Sequence, residues 1–481
     1  MSRPSFHDVI VVGTDLAGLM AAGLLQRHKY RTLLLGHGGL RSRYLHDGQP
    51  LPAAPLMLPL RGAAPGLDEV LAALAVEDPV HQLGDGGGVP AQVVTPSRRL
   101  DLGPDPVRLE AELERAWPEE RAPFLARVAQ AQRRQETLQA LLTERPTLPP
   151  ESFGERMRLR RWQRALEPPT AQAPEPSALW RILSRAGDFL AHLPEGASAP
   201  AARDRLVLSL LDGLRYVPDL PERLLESLRR SGVEVRAEAL VEEIGVESGR
   251  LCQVRTARGA DGCRCNTLLS GLPLTELLEL VPPKQRSRAA RLLVDTSRPL
   301  ESVFTSHLVV PASALPLGMG RHVLLVRDPG AALEEDNLVR IQALPFPGRR
   351  ERVHVCLSCL VSFRKRPLGR EHLGPLSKRV FKAAAWLMPF LEEHLEGMSS
   401  PFWEGRPDDA GHPTPWLIHR TLESDRPTWL GLALVPAQPV YKNLWLAGPE
   451  VLPALGVEGQ AHTALQLTAA VRKRFPLRAA L

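Results

Sequence analysis

The sequence predicts an α/β protein in which a doubly wound parallel sheet is assembled from both chain ends, with a mixed α+β domain inserted between them. Residues 7–37 read strand, tight turn, helix and strand, which is the start of a βαβ unit. Residues 443–475 read strand, loop and helix. Between these ends a mostly helical stretch precedes several strands, which favours an insertion into the sheet domain.

The first half of the chain supplies the βαβ start and then helices. Residues 8–12 are a short apolar run typical of a buried parallel strand, and residues 16–27 have apolar side chains at helical spacing. From about residue 65 to residue 205 the pattern is mostly helical. A proline-rich break at residues 167–176 predicts an exposed loop in that stretch.

The second half returns to strands. A helix at residues 220–230 precedes a short strand at 232–236, and a hairpin is expected at residues 241–256. A buried strand is expected at residues 265–269. The elements predicted after it are strands at 322–327, 338–344 and 352–360, a helix at 376–395 and the final strand, loop and helix.

Bulk composition excludes several functional classes. The 481 residues are 44% hydrophobic and 24% charged, which is ordinary for a globular protein. The net charge of +6 is spread along the chain, so the sequence disfavours nucleic-acid binding. No stretch approaches the roughly 20 uninterrupted apolar residues that a membrane span needs. The chain enters a strand almost at once, so we expect a cytoplasmic protein without a signal peptide.

The five cysteines are too few and too scattered for a disulfide framework. Cys356 and Cys359 form a CxxC in an alternating, strand-like run, where residues three apart point to opposite faces. Cys263 and Cys265 are expected to share a strand face, without a partner pair at zinc-like spacing. The sequence therefore predicts structural cysteines and no metal site.

Four stretches resemble one family, and one of them, residues 265–273, resembles the buried strand that returns to the dinucleotide domain. HDVIVVGTDLAGLMAAGLL, from His7, resembles the dinucleotide fingerprint of flavoproteins, with Gly13 at the tight turn and Gly18 where the helix packs on the sheet. Residues 211–248 resemble the desaturase segment in which a valine backbone, here Val241, contacts the adenine. NLWLAGPEVLPALGVEGQAHTA, from Asn443, resembles the C-terminal flavin motif N-L-(Y/W)-L-A-G-D-x-x-x-P-x-x-G-x-x-G.

The chain is thus similar to the superfamily of FAD-dependent amine oxidases and phytoene (carotenoid) desaturases. The resemblance implies a Rossmann-like FAD/NAD(P)-binding domain and FAD as cofactor, with Gly448 and Gly456 in the C-terminal motif. It divides the chain into five segments: 1–64, 206–290 and 441–481 in the dinucleotide-binding domain, 65–205 as a helical insertion and 291–440 as a mixed substrate-type domain.

Other positions depart from the family pattern, which makes FAD binding doubtful. The second fingerprint glycine is Asp15, and the acidic residue expected on the ribose is Gly36, followed too closely by Arg41. In the C-terminal motif the aspartate is replaced by Pro449, with Glu450 one place late. A carboxylate about 4 Å from one diphosphate charge costs roughly 4 kcal/mol at an effective dielectric near 20. The total binding free energy of a flavin held at nanomolar to micromolar affinity is only about 8–12 kcal/mol.

Three hypotheses about function remain open. The first is a flavin-free descendant of these oxidoreductases that acts by binding or scaffolding, with a protein or an apolar small molecule as its partner. The second is an active FAD-dependent oxidase or desaturase of an apolar substrate. The third places NADP in the site with Arg41 or Arg43 on the 2′-phosphate, which explains Gly36 but not Asp15. The sequence contains no recognisable acid–base set, and His462 is interpreted as a helix or core histidine.

Overall fold

The computed structural model describes residues 5–40, 43–46, 49–53, 56–76, 89–148, 150, 152–166, 177–257, 259–346, 349, 351–364, 369–404, 420–425, 428–438 and 440–476. Arg41 and the proline-rich break at 167–176 lie outside these residues. None of the described helices is both long and apolar enough to cross a membrane.

The helices are α1 (Leu16–Arg27), α2 (Pro65–Ala73), α3 (Pro106–Ala116), α4 (Pro118–Thr143), α5 (Phe153–Leu166), α6 (Ala178–Ala186), α7 (Pro200–Asp212), α8 (Leu220–Arg230), α9 (Leu274–Glu279), α10 (Arg288–Thr296), α11 (Arg370–Leu387), α12 (Pro401–Glu404) and α13 (Gly456–Arg474). The strands before residue 271 are β1 (Ser5–Val12), β2 (Thr32–Leu35), β3 (Arg43–His46), β4 (Gln49–Pro52), β5 (Met57–Pro59), β6 (Gln92–Val94), β7 (Arg99–Asp101), β8 (Leu214–Tyr216), β9 (Glu234–Arg236), β10 (Val241–Glu247), β11 (Arg250–Thr256) and β12 (Gly259–Ser270). The later strands are β13 (Ser297–Pro311), β14 (His322–Val326), β15 (Leu338–Pro345), β16 (Arg352–Ser362), β17 (Gly397–Ser399), β18 (Arg420–Ser424) and β19 (Leu444–Leu446).

The first sheet is built from both chain ends. Its strands lie in the order β10-β11-β12-β1-β2-β9, and β19 pairs with β12. The pairs β12–β1, β1–β2, β2–β9 and β12–β19 are all parallel. This arrangement confirms the predicted Rossmann-like sheet, with β19 supplied by the C-terminal motif.

The two faces of the first sheet belong to two hydrophobic clusters. Val9 and Val11 of β1 point to the face covered by α1, α2, α8 and α13. Ile10 and Val12 point to the opposite face, in a cluster with the β10–β11 hairpin and α9. Successive residues of a strand point to opposite faces, so a continuous apolar run such as that in β1 fits a strand buried on both sides.

The second sheet lies in the order β17-β13-β16-β15-β14-β6-β7, with β18 paired to β13. We call the face that packs on α6 and α7 its inner face and the face that packs on α11 its outer face. Cys356 belongs to the inner-face cluster and Cys359 to the outer one, which confirms the predicted opposite orientation of the CxxC. Cys263 and Cys265 share one cluster of the first sheet, also as predicted.

The structure corrects the expected elements in three places. The stretch predicted to be mostly helical also contains β6 and β7, which join the second sheet because β6 pairs in parallel with β14. Within that stretch the helical pattern at 106–143 is interrupted, because residues 106–143 form two helices with Trp117 between α3 and α4. The helix expected at 376–395 is α11, which begins earlier, at Arg370, and ends at Leu387.

Candidate functional site

The turn from β1 into α1 keeps the geometry that the glycine fingerprint implies. Gly13 has a φ of 96°, and a Cβ there would lie 3.0 Å from Cδ2 of Leu272. Glycine is required at this position because both the backbone conformation and the space exclude a side chain. Gly18 lets α1 approach the sheet, since a Cβ there would lie 3.4 Å from Val11 and 3.6 Å from the Cα of Gly271.

Asp15 caps the N-terminus of α1. Its Oδ1 accepts a hydrogen bond from the backbone N–H of Ala17 at 3.2 Å. This N–H is one of the free donors at a helix start that bind phosphates in dinucleotide folds. Burial raises the pKa of the Asp15 carboxyl to about 7; the hydrogen bond from Ala17 lowers it, and the charge of Glu450 raises it further.

Glu450, in the loop after β19, places a second carboxylate near Asp15. Its Oε2 accepts a hydrogen bond from the backbone N–H of Leu274 at 3.1 Å, at the start of α9. The loop is closed by a hydrogen bond from the N–H of Val451 to the carbonyl oxygen of Gly448 at 3.3 Å. Two acidic side chains therefore lie where the fingerprint and the C-terminal motif approach each other.

Gly36, the residue after β2, lies in a position that has no room for a side chain. Its N–H donates to the carbonyl oxygen of Arg236 at 3.0 Å. A Cβ at Gly36 would lie 1.9 Å from the carbonyl oxygen of Ala237. The backbone that follows β9 thus occupies the space that an acidic side chain would need.

His37 contacts the residue that the resemblance assigns to the adenine. Its Nδ1 accepts a hydrogen bond from the backbone N–H of Val241 at 3.2 Å. His37 has a φ of 50°, a left-handed conformation that is uncommon outside glycine. The same loop is tied to the fingerprint turn, because the Thr14 hydroxyl donates to the carbonyl oxygen of Gly39 at 3.0 Å.

At the other end of the site, Gly456 starts α13 against the segment after α6. A Cβ at Gly456 would lie 2.1 Å from the carbonyl oxygen of Leu190. The N–H of His192 donates to the carbonyl oxygen of Pro453 at 2.8 Å. Residues 190–192 therefore pack directly on the C-terminal motif.

His462 lies in a buried ion cluster on α13. Its Nε2 is 3.1 Å from Oε1 of Glu458, and the same oxygen is 3.4 Å from the Arg205 guanidinium. Glu458 also accepts hydrogen bonds from the N–H groups of Gly66 and Leu67, which start α2. Burial raises the pKa of Glu458, but His462 and Arg205 outweigh it and hold that pKa below its usual value. The cluster joins three helices and leaves His462 in the core.

Two further sequence candidates can be placed. The Arg43 Nε donates to Oε1 of Glu222 at 2.6 Å, so this arginine is engaged in an ion pair. Arg41, the other candidate for a 2′-phosphate, lies outside the described residues. The five cysteines are free thiols, and no three His, Cys, Asp or Glu side chains are grouped to hold a metal in the part of the chain that the structure describes.

The structure brings six of the sequence candidates together in two groups. One group lies around the start of α1 and consists of Gly13, Asp15, Gly18 and Glu450. The other group consists of Gly36, which follows β2, and Val241, which begins β10, and His37 joins the two. Sequence reasoning missed His37, Ala237 and Leu190. No local pattern marks them, because each acts through a contact with a residue more than 200 positions away.

Comparison with known proteins supports the fold and leaves the family unassigned. No family model matches the sequence, and no curated protein matches it. An oxidoreductase from Methanosarcina mazei aligns with a TM-score of 0.59 and 14% identity, over 96% of this chain and 100% of that one. Putrescine oxidase with bound putrescine aligns with a TM-score of 0.59 and 14% identity, over 98% and 99% of the two chains.

Cyclohexylamine oxidase from Brevibacterium oxydans gives a similar result, with a TM-score of 0.55 and 12% identity over 97% of this chain and 99% of that one. At such low identity the alignments establish architecture and not chemistry. They extend over nearly the whole of each chain, so both sheets belong to the common architecture. The chain has the fold of the amine oxidase-like oxidoreductases.

Proposed function

We propose that this protein is a flavin-free protein on the amine oxidase-like fold, which acts by binding or scaffolding and not by redox catalysis. The observation that carries the proposal is Asp15 at the N-terminus of α1. Its carboxylate accepts the Ala17 N–H, a donor of the kind that a dinucleotide phosphate takes in this class of fold. The chain thus provides its own anion for the helix start.

The electrostatics of the turn support the proposal. A diphosphate bound there would approach the carboxylates of both Asp15 and Glu450. One such contact at about 4 Å costs roughly 4 kcal/mol at an effective dielectric near 20. Protonating Asp15 relieves part of this cost, but at neutral pH and above the proton itself must be taken from solution.

The adenosine end of the cleft gives independent support. The Val241 N–H is already satisfied by His37, so an adenine would have to displace that imidazole. The space beside Gly36 is filled by the Ala237 carbonyl, which leaves no acidic side chain on β2 for a ribose. A dinucleotide would lose both contacts that position its adenosine half in the family.

The test is the visible spectrum of the purified protein, followed by a titration with FAD and with ADP. We expect a colourless protein whose melting temperature is unchanged at micromolar FAD, since stabilisation grows as RT ln(1 + [L]/Kd) and vanishes when Kd is far above the ligand concentration. Stoichiometric flavin in the purified protein, or a shift of several degrees, contradicts the proposal.

One observation favours the alternative, an active FAD-dependent oxidase or desaturase of an apolar substrate. The Glu238 carboxylate lies beside the loop after β2, where a Cβ at Gly39 would be 2.8 Å from its Oε2. In that reading Glu238 replaces the missing ribose acceptor. A yellow protein that loses its flavin on Glu238→Gln substitution would establish the alternative.

A further inference from the structure

Three polar side chains lie together on the inner face of the second sheet. His322 of β14 is paired in register with Gln342 of β15, and Arg340 is two residues along β15 on the same face. All three are buried, with exposed fractions of 1%, 0% and 4% respectively. Buried polar groups in folded proteins are almost always hydrogen-bonded, so three adjacent buried polar side chains are expected to have hydrogen-bond partners.

The described residues leave most of these polar atoms unsatisfied. Among the described residues, no hydrogen-bond partner exists for either ring nitrogen of His322, either polar amide atom of Gln342 or the Nε of Arg340. No described carboxylate forms an ion pair with Arg340, whose guanidinium lies over the Phe189 ring at 4.5 Å from its centroid. An aromatic face offsets only a small part of the cost of burying a cation.

Two acidic side chains, Asp188 and Glu301, already form ion pairs with other arginines. Asp188, which precedes Phe189, forms ion pairs with Arg185 at 2.6 Å and Arg203 at 2.7 Å. Glu301 pairs with Arg185 at 2.6 Å. These two carboxylates are matched by two guanidiniums, so the charge of Arg340 has no counterion among the described residues.

The protonation states fit an anion receptor. Burial lowers the pKa of Arg340 to about 10, so the side chain remains a cation at neutral pH. Burial, with the charge of Arg340, lowers the pKa of His322 to about 3 and keeps its ring neutral. A neutral imidazole offers one donor and one acceptor, and the Gln342 amide offers both kinds of group.

We propose that Arg340, Gln342 and His322 form a buried site for a small organic carboxylate. The guanidinium fork matches a carboxylate in two parallel hydrogen bonds. Gln342 and His322 would then bind the polar groups at the acid end of the ligand. The three residues belong to the second sheet and include none of those at the α1 turn, so the assignment does not depend on whether FAD binds.

The first experiment measures binding to the full-length protein by calorimetry and by thermal melting. The probes are sodium acetate, butyrate and benzoate, with the corresponding neutral amides and with sodium phosphate, all at equal ionic strength. We expect at least one carboxylate to bind and to raise the melting temperature, while its amide does neither. Binding of phosphate alone would show a general oxyanion site and would overturn the assignment to organic acids.

The second experiment uses Arg340→Met, which keeps the length and apolar contacts of the side chain but removes its charge. We expect a loss of carboxylate affinity of roughly a hundredfold or more. We also expect the ligand-free variant to melt no lower than the wild type, because an uncompensated buried charge has been removed. A purely structural arginine would instead give a variant that melts well below the wild type.

Gln342→Leu provides a second variant should Arg340→Met fail to fold, since it removes the amide without introducing charge. We expect it to weaken carboxylate binding by roughly tenfold. The matched control is Gln92→Leu, a buried glutamine of the same sheet whose amide is satisfied by Asp101 and Gly318. Carboxylate binding that is unchanged in Arg340→Met, or absent from the wild type for every acid tested, overturns the proposal.

Discussion

The carbonyl oxygen of Leu190 lies against the Cα of Gly456, at the point where α13 begins. A Cβ at Gly456 would be 2.1 Å from that oxygen, and the residue has a φ of 57°. The contact excludes any side chain, and the positive φ adds backbone strain to any residue other than glycine. The motif glycine, which the sequence assigns to a cofactor, therefore has a complete structural role within the protein itself.

Gly456→Ala should destabilise the protein by about 2–4 kcal/mol, because the new methyl group displaces the backbone of Leu190. Gly448→Ala is the matched control from the same motif, since no atom lies within 4 Å of a Cβ built there. We expect the control to change stability by no more than about 0.5 kcal/mol. Urea unfolding of the three proteins decides the matter, and equal stability of both variants would contradict the contact.

Asp15→Asn should alter how stability depends on pH. The folded-state pKa of Asp15 is raised from 3.8 to about 7, so the folded protein binds more protons than the unfolded chain between these values. Stability from this group is therefore lost as pH rises from about 4 to about 7, by at most about 4 kcal/mol.

Asparagine keeps the helix cap but does not titrate. The free energy of unfolding of the wild type, relative to Asp15→Asn, should thus fall across that pH range. Chemical denaturation at about pH 4.5 and about pH 8, near the two ends of this range, measures the difference. A difference that is the same at both pH values would show that the carboxyl titrates normally.

Asp15→Gly should increase the affinity for ADP by roughly tenfold or more at neutral pH. The substitution removes the charge and the Cβ from the helix N-terminus, where a phosphate would otherwise be repelled. Asp105→Gly is the matched control, because Asp105 caps α3 in the same way, with the N–H groups of Val107 and Arg108 as donors. ADP binding that responds equally in both variants, or in neither, rules out Asp15 as the anion that replaces the phosphate.

Glu458→Gln should destabilise the protein by about 3–5 kcal/mol, because it leaves the Arg205 guanidinium buried without a full counter-charge. Glu222→Gln breaks a half-exposed pair with Arg43 and should cost less than about 1 kcal/mol. Adding Arg205→Met to Glu458→Gln should restore part of the loss. A double variant no more stable than Glu458→Gln alone would mean that Arg205 is held by other contacts.

The sequence predicted those parts of the fold that depend on local pattern. Consecutive residues determine the apolar run of β1, the helical spacing of α1 and the order of strand, loop and helix at the C-terminus. The contacts of His37 with Val241 and of Leu190 with Gly456 could not be predicted, because they depend on how distant segments pack.

The burial of Arg340, Gln342 and His322 on the second sheet could not be predicted from the sequence for a different reason. In LVRIQALP, the sequence of β15, Arg340 and Gln342 alternate with apolar residues. Such alternation predicts a strand with one face in water. The structure places α6 and α7 over that face, so side chains that read as solvent-exposed lie in the core.

The parallel pairing of β19 with β12 has a consequence for biosynthesis. Residues 444–446 complete an edge of a sheet whose first strand is made at residues 5–12. A ribosome must therefore translate the roughly 430 residues that separate β1 from β19 before the sheet can close. Until then the nascent chain exposes the edge of β12 and its apolar neighbours, a state that chaperones bind and proteases cleave.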